Sequence, residues 1–270
     1  MKILFLACAY NRPKILRLSL LGLQRLQKVR QFDTLIACSD KESIEVCKEF
    51  GVDYFEYENL PIGKKKNELF EQGLKTNADY FIEFADDDLM SNELFEHYIK
   101  EFQKGVDYIK PKGLYFYDTK SKRALNFNPQ NTFGAFRAFS RQTLENAGNK
   151  YLVTFRQDVN EYKDQSMYYI NKGLYDYIQP KGLIALHQEK FELWHPEKNK
   201  SLDFSSEANL MQVNVKATIA DLGTPQVIDV KSEQNIWKFE RYFVNSIDAK
   251  TEALFKMLSK EEIEYIKNLD

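Results

Sequence analysis

Along the first ninety residues, apolar runs of strand length alternate with stretches of helical spacing. Lys2 to Ala9 is a continuous apolar run, the pattern of a strand buried on both faces of a parallel sheet. Tyr10-Asn11-Arg12-Pro13 breaks it. Ile15, Leu16, Leu18, Leu20, Leu21, Leu23 and Leu26 then recur at near-helical spacing, which predicts a helix from about Pro13 to Val29 with the proline in its first turn. Thr34 to Cys38 reads as a second strand ending at Ser39-Asp40, Lys41 to Phe50 as a second helix stopped by Gly51, and Val52 to Tyr57 as a third strand. A loop from Asn59 to Gly63 leads to a third helix, Lys64 to Lys75. The next run, Asp79 to Phe84, is rich in aromatic and β-branched residues and ends at Asp86-Asp87-Asp88, with a helix start at Ser91-Asn92-Glu93. This alternation predicts a mostly parallel central sheet with right-handed crossovers, a Rossmann-like α/β architecture.

Beyond Asp88 the pattern is more broken. Glu93 to Gly105 reads as a helix, and Tyr108 to Lys110 and Leu114 to Tyr117 as short strands about a turn at Pro111-Lys112-Gly113. Thr132 to Phe139 alternates and leads into a helix start at Ser140. Phe155 to Asp164 is polar and loop-like, Gln165 to Lys172 is a helix closed by Gly173, and Tyr175 to Ile178 and Leu183 to His187 look like late strands. From about Ala208 the reading is helical. Ile236, Phe239, Tyr242 and Phe243 form one apolar stripe, which Ala253, Leu254, Met257, Leu258, Ile263 and Ile266 continue. Such a stripe ordinarily faces a core; a homo-oligomer contact or an acceptor-site lid is the alternative.

Composition adds few constraints. A chain of 270 residues, 43% apolar and 29% charged, is long enough for a sizeable core, and its formal net charge of -2 calls for neither nucleic acid nor an anionic membrane. Aromatics reach 14%, which suits sugar or base stacking but more often fills a core. Cys8, Cys38 and Cys47 match no zinc or redox spacing and read as small buried hydrophobes in a reducing, cytoplasmic setting. The apolar start is too short for a signal peptide and is better explained as a buried first strand; no segment approaches the length that spans a bilayer.

The candidate chemistry centres on Asp86-Asp87-Asp88. Three adjacent carboxylates repel one another and stay ionised comfortably only in water or beside a cation, and oxygen-only ligands suit Mg²⁺, Mn²⁺ or Ca²⁺. Ligands of open α/β sheets bind beyond the carboxyl ends of the strands, where this cluster falls. The competing reading is a solvated acidic turn. No Gly-x-Gly-x-x-Gly follows the first strand and no Walker motif occurs, which argues against a dinucleotide enzyme or a P-loop NTPase.

Taken together, Tyr10-Asn11-Arg12-Pro13, Ser39-Asp40, Gly63-Lys64-Lys65-Lys66-Asn67, the Asp-x-Asp pattern of Asp86-Asp87-Asp88, and Lys163-Asp164-Gln165 with Gly173 resemble, in order and spacing, motifs of the GT-A fold glycosyltransferases of the inverting family-two group. The resemblance spans roughly residues 2 to 201 and departs from the pattern at Lys66, where the family has arginine. It implies a GT-A domain over 1–205, with a nucleotide-binding half at 1–90, an acceptor-binding half at 91–205 and a helical extension at 206–270. It implies a glycosyltransferase that moves a sugar from a nucleotide-diphosphate sugar to an acceptor hydroxyl, by single displacement with inversion, using Mn²⁺ or Mg²⁺. In that scheme Asp86 and Asp88 serve the metal, with His195 of Trp194-His195 completing its shell in preference to His187. Asp164 is the catalytic base, with Asp158 and Glu161 as nearby substitutes. The donor nucleotide meets Tyr10, Asn11, Arg12, Asp40, Lys66, Asn67, Asp86 and Asp87.

Bland readings stand beside these: a helix N-cap for Asp164, a loop aromatic for Tyr10, and solvated helix-face cations for the lysines, the better reading for Lys64 and Lys65. A sugar nucleotidyltransferase is a competing function, though its Gly-rich first loop is missing. A non-catalytic sugar- or cation-binding module is another.

Overall fold

The computed structural model describes residues 1–59, 62–127, 135–146, 216–232 and 246–269, with Phe239 and Phe243. Asp158, Glu161, Asp164, His187, Trp194 and His195, and the elements expected between 147 and 215, lie outside these residues.

The first strand, β1 (Ile3–Ala9), is the centre of the molecule, as its unbroken apolar run predicts. It pairs in parallel with β2 (Asp33–Cys38) on one side and β4 (Tyr80–Glu83) on the other, and β2 pairs in parallel with β3 (Asp53–Glu56). The crossovers are α1 (Pro13–Gln27), α2 (Lys41–Phe50) and α3 (Ile62–Leu74). Each has a local cause. Pro13 opens α1, Asp40 caps α2 by accepting from the Ser43 N–H, and Gly51 ends α2 at φ 64°, a left-handed backbone that glycine adopts without strain.

After β4 the chain turns through the three aspartates into β5 (Asp88–Met90) and α4 (Asn92–Gln103). The expected helix start holds: the Ser91 hydroxyl accepts from the Leu94 N–H at 3.0 Å. The chain continues through β6 (Tyr108–Pro111), β7 (Leu114–Asp118), β8 (Ala124–Phe127), β9 (Arg137–Ser140) and α5 (Arg141–Asn146).

The helical expectation from Ala208 onward needs correction. The described part holds three strands, β10 (Ala217–Ala220), β11 (Val227–Lys231) and β12 (Ile247–Ala249), before the helices α6 (Thr251–Phe255) and α7 (Lys260–Lys267). Val227-Ile228-Asp229-Val230-Lys231 is β-branched at three of five positions, a strand signal that the apolar spacing of the later helices overshadowed. These strands join sheets begun earlier. The main sheet runs β10-β6-β9-β4-β1-β2-β3, parallel except at both neighbours of β9. The smaller sheet runs β12-β8-β7-β11-β5.

The main sheet is covered on both faces. Phe5, Phe32, Phe84 and Phe95 pack edge-on or tilted under α1 and α4, and Leu4, Leu6, Leu69, Phe70 and Phe139 fill the face under α3. The abundant phenylalanines are thus largely core, each worth roughly 1.5–3 kcal/mol of burial. Leu254, Leu258 and Ile266 of the C-terminal stripe pack with Ile15, Leu18 and Tyr117, whereas Phe243 is exposed and Ile236 and Tyr242 lie outside the described residues. Cys38 and Cys47 are buried free thiols, while Cys8 is only partly covered. Among the described residues no helix is long and apolar enough to cross a membrane.

A buried ion pair pins α7 to this frame. Arg25 of α1 donates from Nε to Glu262 at 2.8 Å, from Nη2 to the Met90 carbonyl at 2.6 Å and from Nη1 to Asn92 at 2.5 Å. Glu262 is fully buried, and its carboxylate also accepts from the Ser259 N–H at 2.7 Å in a capping box. The helices approach closely at Gly22, where a Cβ would lie 3.0 Å from Leu89 and 3.2 Å from Glu262. Removing one partner of such a pair strands the other charge. Glu262→Ala is therefore expected to lower unfolding free energy by about 3–5 kcal/mol, read from the urea midpoint at unchanged slope. The apolar double variant Arg25→Leu/Glu262→Leu is expected to recover most of that loss.

Candidate active site

The carboxyl ends of β1, β2 and β4 come together at one rim of the main sheet, where Arg12, Asp40, Asp86, Asp87 and Asp88 lie. Asp86, Asp87 and Asp88 are 2%, 8% and 4% exposed, which excludes the solvated acidic turn. The turn is tied on three sides. The Asp88 N–H donates to the Ala85 carbonyl at 3.0 Å, and the Ala85 N–H to Asp88 Oδ2 at 3.0 Å. Ser19 of α1 donates to the Asp86 carbonyl at 2.7 Å, and the Val230 N–H of β11 to the Asp87 carbonyl at 2.8 Å.

Arg12, at the mouth of α1, reaches into this turn. It forms ion pairs with Asp86 and with Asp87, the latter at 3.0 Å. Burial disfavours its charge, but Asp87 and Asp86 outweigh that, and the guanidinium pKa is raised. Burial pushes Asp86 up to about 6 against the pull of Arg12. Asp87 is equally buried, yet Arg12 and Lys231 hold it below the usual carboxylate range. Asp88 goes well above that range through burial and through repulsion by Asp87 and Asp229.

Asp229 is the acid that sequence reading missed. It lies in β11 directly opposite Asp88 of β5, and ligand oxygens of Asp87, Asp88 and Asp229 all fall within 4.8 Å of one another. Its side chain is 15% exposed, but Oδ1 is sealed from solvent and accepts no hydrogen bond from the described residues. Oδ2 accepts from Lys231 at 2.6 Å. Burial lifts Asp229 to about 6, against the pull of Lys231 and with Asp87 adding to the rise. The donor set fits a hard divalent cation: three carboxylates offer oxygen ligands, and among the described residues Asp88 is paired with no cation. Asp86, engaged by Arg12, is not part of the three-acid group.

Around this centre the other expected residues take distinct places. Asp40 accepts from the Ser43 N–H and hydroxyl, each at 2.8 Å, and from the Asn11 N–H at 2.8 Å. Burial alone would raise its pKa; these hydrogen bonds lower it overall. They also hold Asn11 at φ 54°, so the first-strand exit and the α2 cap are one unit. Tyr10 stands 49% exposed beside them. Lys66 pairs with Glu83 at 2.8 Å, as does Arg137 from β9 at 2.8 Å; Asn67 follows on the same helix.

Lys65 departs from the solvated reading. It is fully buried, donating to the Ala9 carbonyl at 2.7 Å and to Asn59 at 3.5 Å, and burial lowers its pKa. It lies one helical turn before the buried Leu69, on the sheet-facing side of α3, which spacing alone would have shown. For Asp229 the only signal was an acid at the centre of a β-branched run.

No family model matches this chain, and no curated protein matches it. Many solved structures share its fold. Residues 1–349 of S. aureus TarS align over 85% of this chain and 60% of that one, at 10% identity and a TM-score of 0.52. The chain thus spans about 60% of the length of that neighbour. A 4-diphosphocytidyl-2C-methyl-D-erythritol synthase from Anaerococcus prevotii covers 98% of this chain and is itself 96% covered, at 11% identity and a TM-score of 0.44. Glucosyl-3-phosphoglycerate synthase from Mycobacterium tuberculosis, crystallised with Mn²⁺, UDP and glucosyl-3-phosphoglycerate, covers 54% and is 58% covered, at 13% identity and a TM-score of 0.36. The fold is that of the GT-A-type glycosyltransferases, with a mostly parallel sheet flanked by helices.

Proposed function

We propose that this chain is a cation-dependent glycosyltransferase that moves a sugar from a nucleotide-diphosphate sugar to an acceptor hydroxyl. The observation that carries the reading is the acid group at the end of β4: oxygens of Asp87, Asp88 and Asp229 lie within 4.8 Å of one another, and Asp88 has no ion-pair partner among the described residues. A surface ornament would leave these aspartates in water; a folding device would pair them fully.

Asp88, Asp87 and Asp229 would hold Mn²⁺ or Mg²⁺, which when bound supplies positive charge to the departing diphosphate. His195 is a further proposed ligand. Arg12, at the entrance to α1, would exchange its carboxylates for diphosphate oxygens, which its planar fork suits. Asp86 would meet the donor ribose. Tyr10 offers a ring face to the nucleobase, and Asp40 a carboxylate to a base N–H, with Asn11 holding the loop between them. Lys66 and Asn67, on α3 beside Glu83, would complete the diphosphate side. Asp164 is the proposed base that takes the acceptor's proton as its oxygen attacks the anomeric carbon with inversion.

Two measurements test this reading. In a panel of nucleotide sugars with Mn²⁺, one donor is expected to release its nucleoside diphosphate slowly even without acceptor. Asp88→Asn should cut that release by about 100- to 1,000-fold. If nucleotide and Mn²⁺ bind but no donor is turned over, the chain is a binding module instead.

The second is pH. A cation needs ionised carboxylates, and Asp229 titrates at about 6 rather than near 3.8. Lowering pH from 7 to 5 protonates it, so calorimetric Mn²⁺ affinity should fall by about tenfold from this group alone. Asp88, raised further, adds to the loss in the same direction.

A further inference from the structure

We propose that the same cation also clasps the chain's C-terminal segment, so that insertion of β11 between β5 and β7 is linked to cation binding. The inference rests on the cation reading above, but not on any sugar being transferred.

Topology makes β11 the hinge of the smaller sheet. It pairs antiparallel with β5 and parallel with β7, and β5 reaches β7 only through it. The β5 pairing covers three residues, with Val227 opposite Met90, Ile228 opposite Leu89 and Asp229 opposite Asp88. The strand that completes the acid group is thus separated in sequence from Asp88 by more than a hundred residues.

When no cation is bound, ionising both acids works against this pairing. Like charges directly opposite on paired strands destabilise the pair. Asp88 has no cationic partner within ion-pair distance among the described residues. Lys231 meets Asp229 at Oδ2, and among the described residues buried Oδ1 has no donor. Asp87 meets β11 twice, as its carbonyl accepts from Val230 and its carboxylate lies in the three-acid group. A divalent ion among these oxygens turns the repulsion across the β5–β11 ladder into a shared bond. Linkage then runs both ways: the ion tightens the strand, and the seated strand supplies the ion's third carboxylate.

Hydrogen exchange on the full chain tests this. With Mn²⁺ at about 100 times its dissociation constant, exchange of the 227–231 amides through openings that break the site should slow by roughly 100-fold. Asp229→Asn should lose most of that protection and most of the Mn²⁺-induced rise in melting temperature. Asp88→Asn, which removes the cost of burying that acid, should melt higher than the parent chain without Mn²⁺ at pH 7 and respond little to it; this holds the test open should Asp229→Asn fold poorly. The proposal is overturned if Mn²⁺ binds through Asp88 yet leaves exchange at 227–231 unchanged, or if Asp229→Asn keeps the full response. Absence of any Mn²⁺ binding overturns the cation reading and this inference together. Binding and clasping without turnover would sink only the transferase reading.

Discussion

Four aspartates, three of them buried, gathered beside Arg12 and Lys231 are the constraint to which the rest of this molecule answers. A carboxylate out of water needs a partner; among the described residues Arg12 pairs with Asp86 and Asp87, Lys231 pairs with Asp229, and Asp88 pairs with no cation. Their environment resolves this by splitting the titrations. Asp87, facing both cations, stays acidic; Asp86, Asp88 and Asp229 are pushed upward. A site with that gradient is poised to release protons and accept a divalent ion, which a fully compensated cluster is not.

The surrounding architecture holds this arrangement in place. The turn that carries three of the aspartates has its carbonyls taken by Ser19 from α1 and Val230 from β11. Arg25 and Glu262 bind α1, the end of β5 and the C-terminal helix into one buried network, so the far end of the chain braces the strand that bears Asp88. Asp40 serves a cap and a loop at once, fixing the exit of β1 where Tyr10 and Arg12 emerge. Each of these joins residues distant in sequence, and each acts on the position of a charged group.

Much of the first half was legible because its signals are local. An unbroken apolar run makes a doubly buried strand, Pro13 and Gly51 mark helix ends, and Ser91 caps α4. The acidic turn was visible as three adjacent letters. Lys65 was misjudged because a lysine's charge draws attention from its helical phase, which points it at the sheet. The later strands were hidden for a related reason: short β-branched runs beside amphipathic helices carry a weaker periodic signal than the helices do.

By itself, then, the sequence determined the alternation of strands and helices, the caps, and a cluster of like charges at one strand's end, since each depends on neighbours within a few residues. Tertiary structure alone decided that these charges are buried and that Arg12 closes on two of them. It alone decided that an aspartate from the far end of the chain completes the group. Burial and pairing between β5 and β11 depend on which segments the sheets bring together, and no local spacing encodes that.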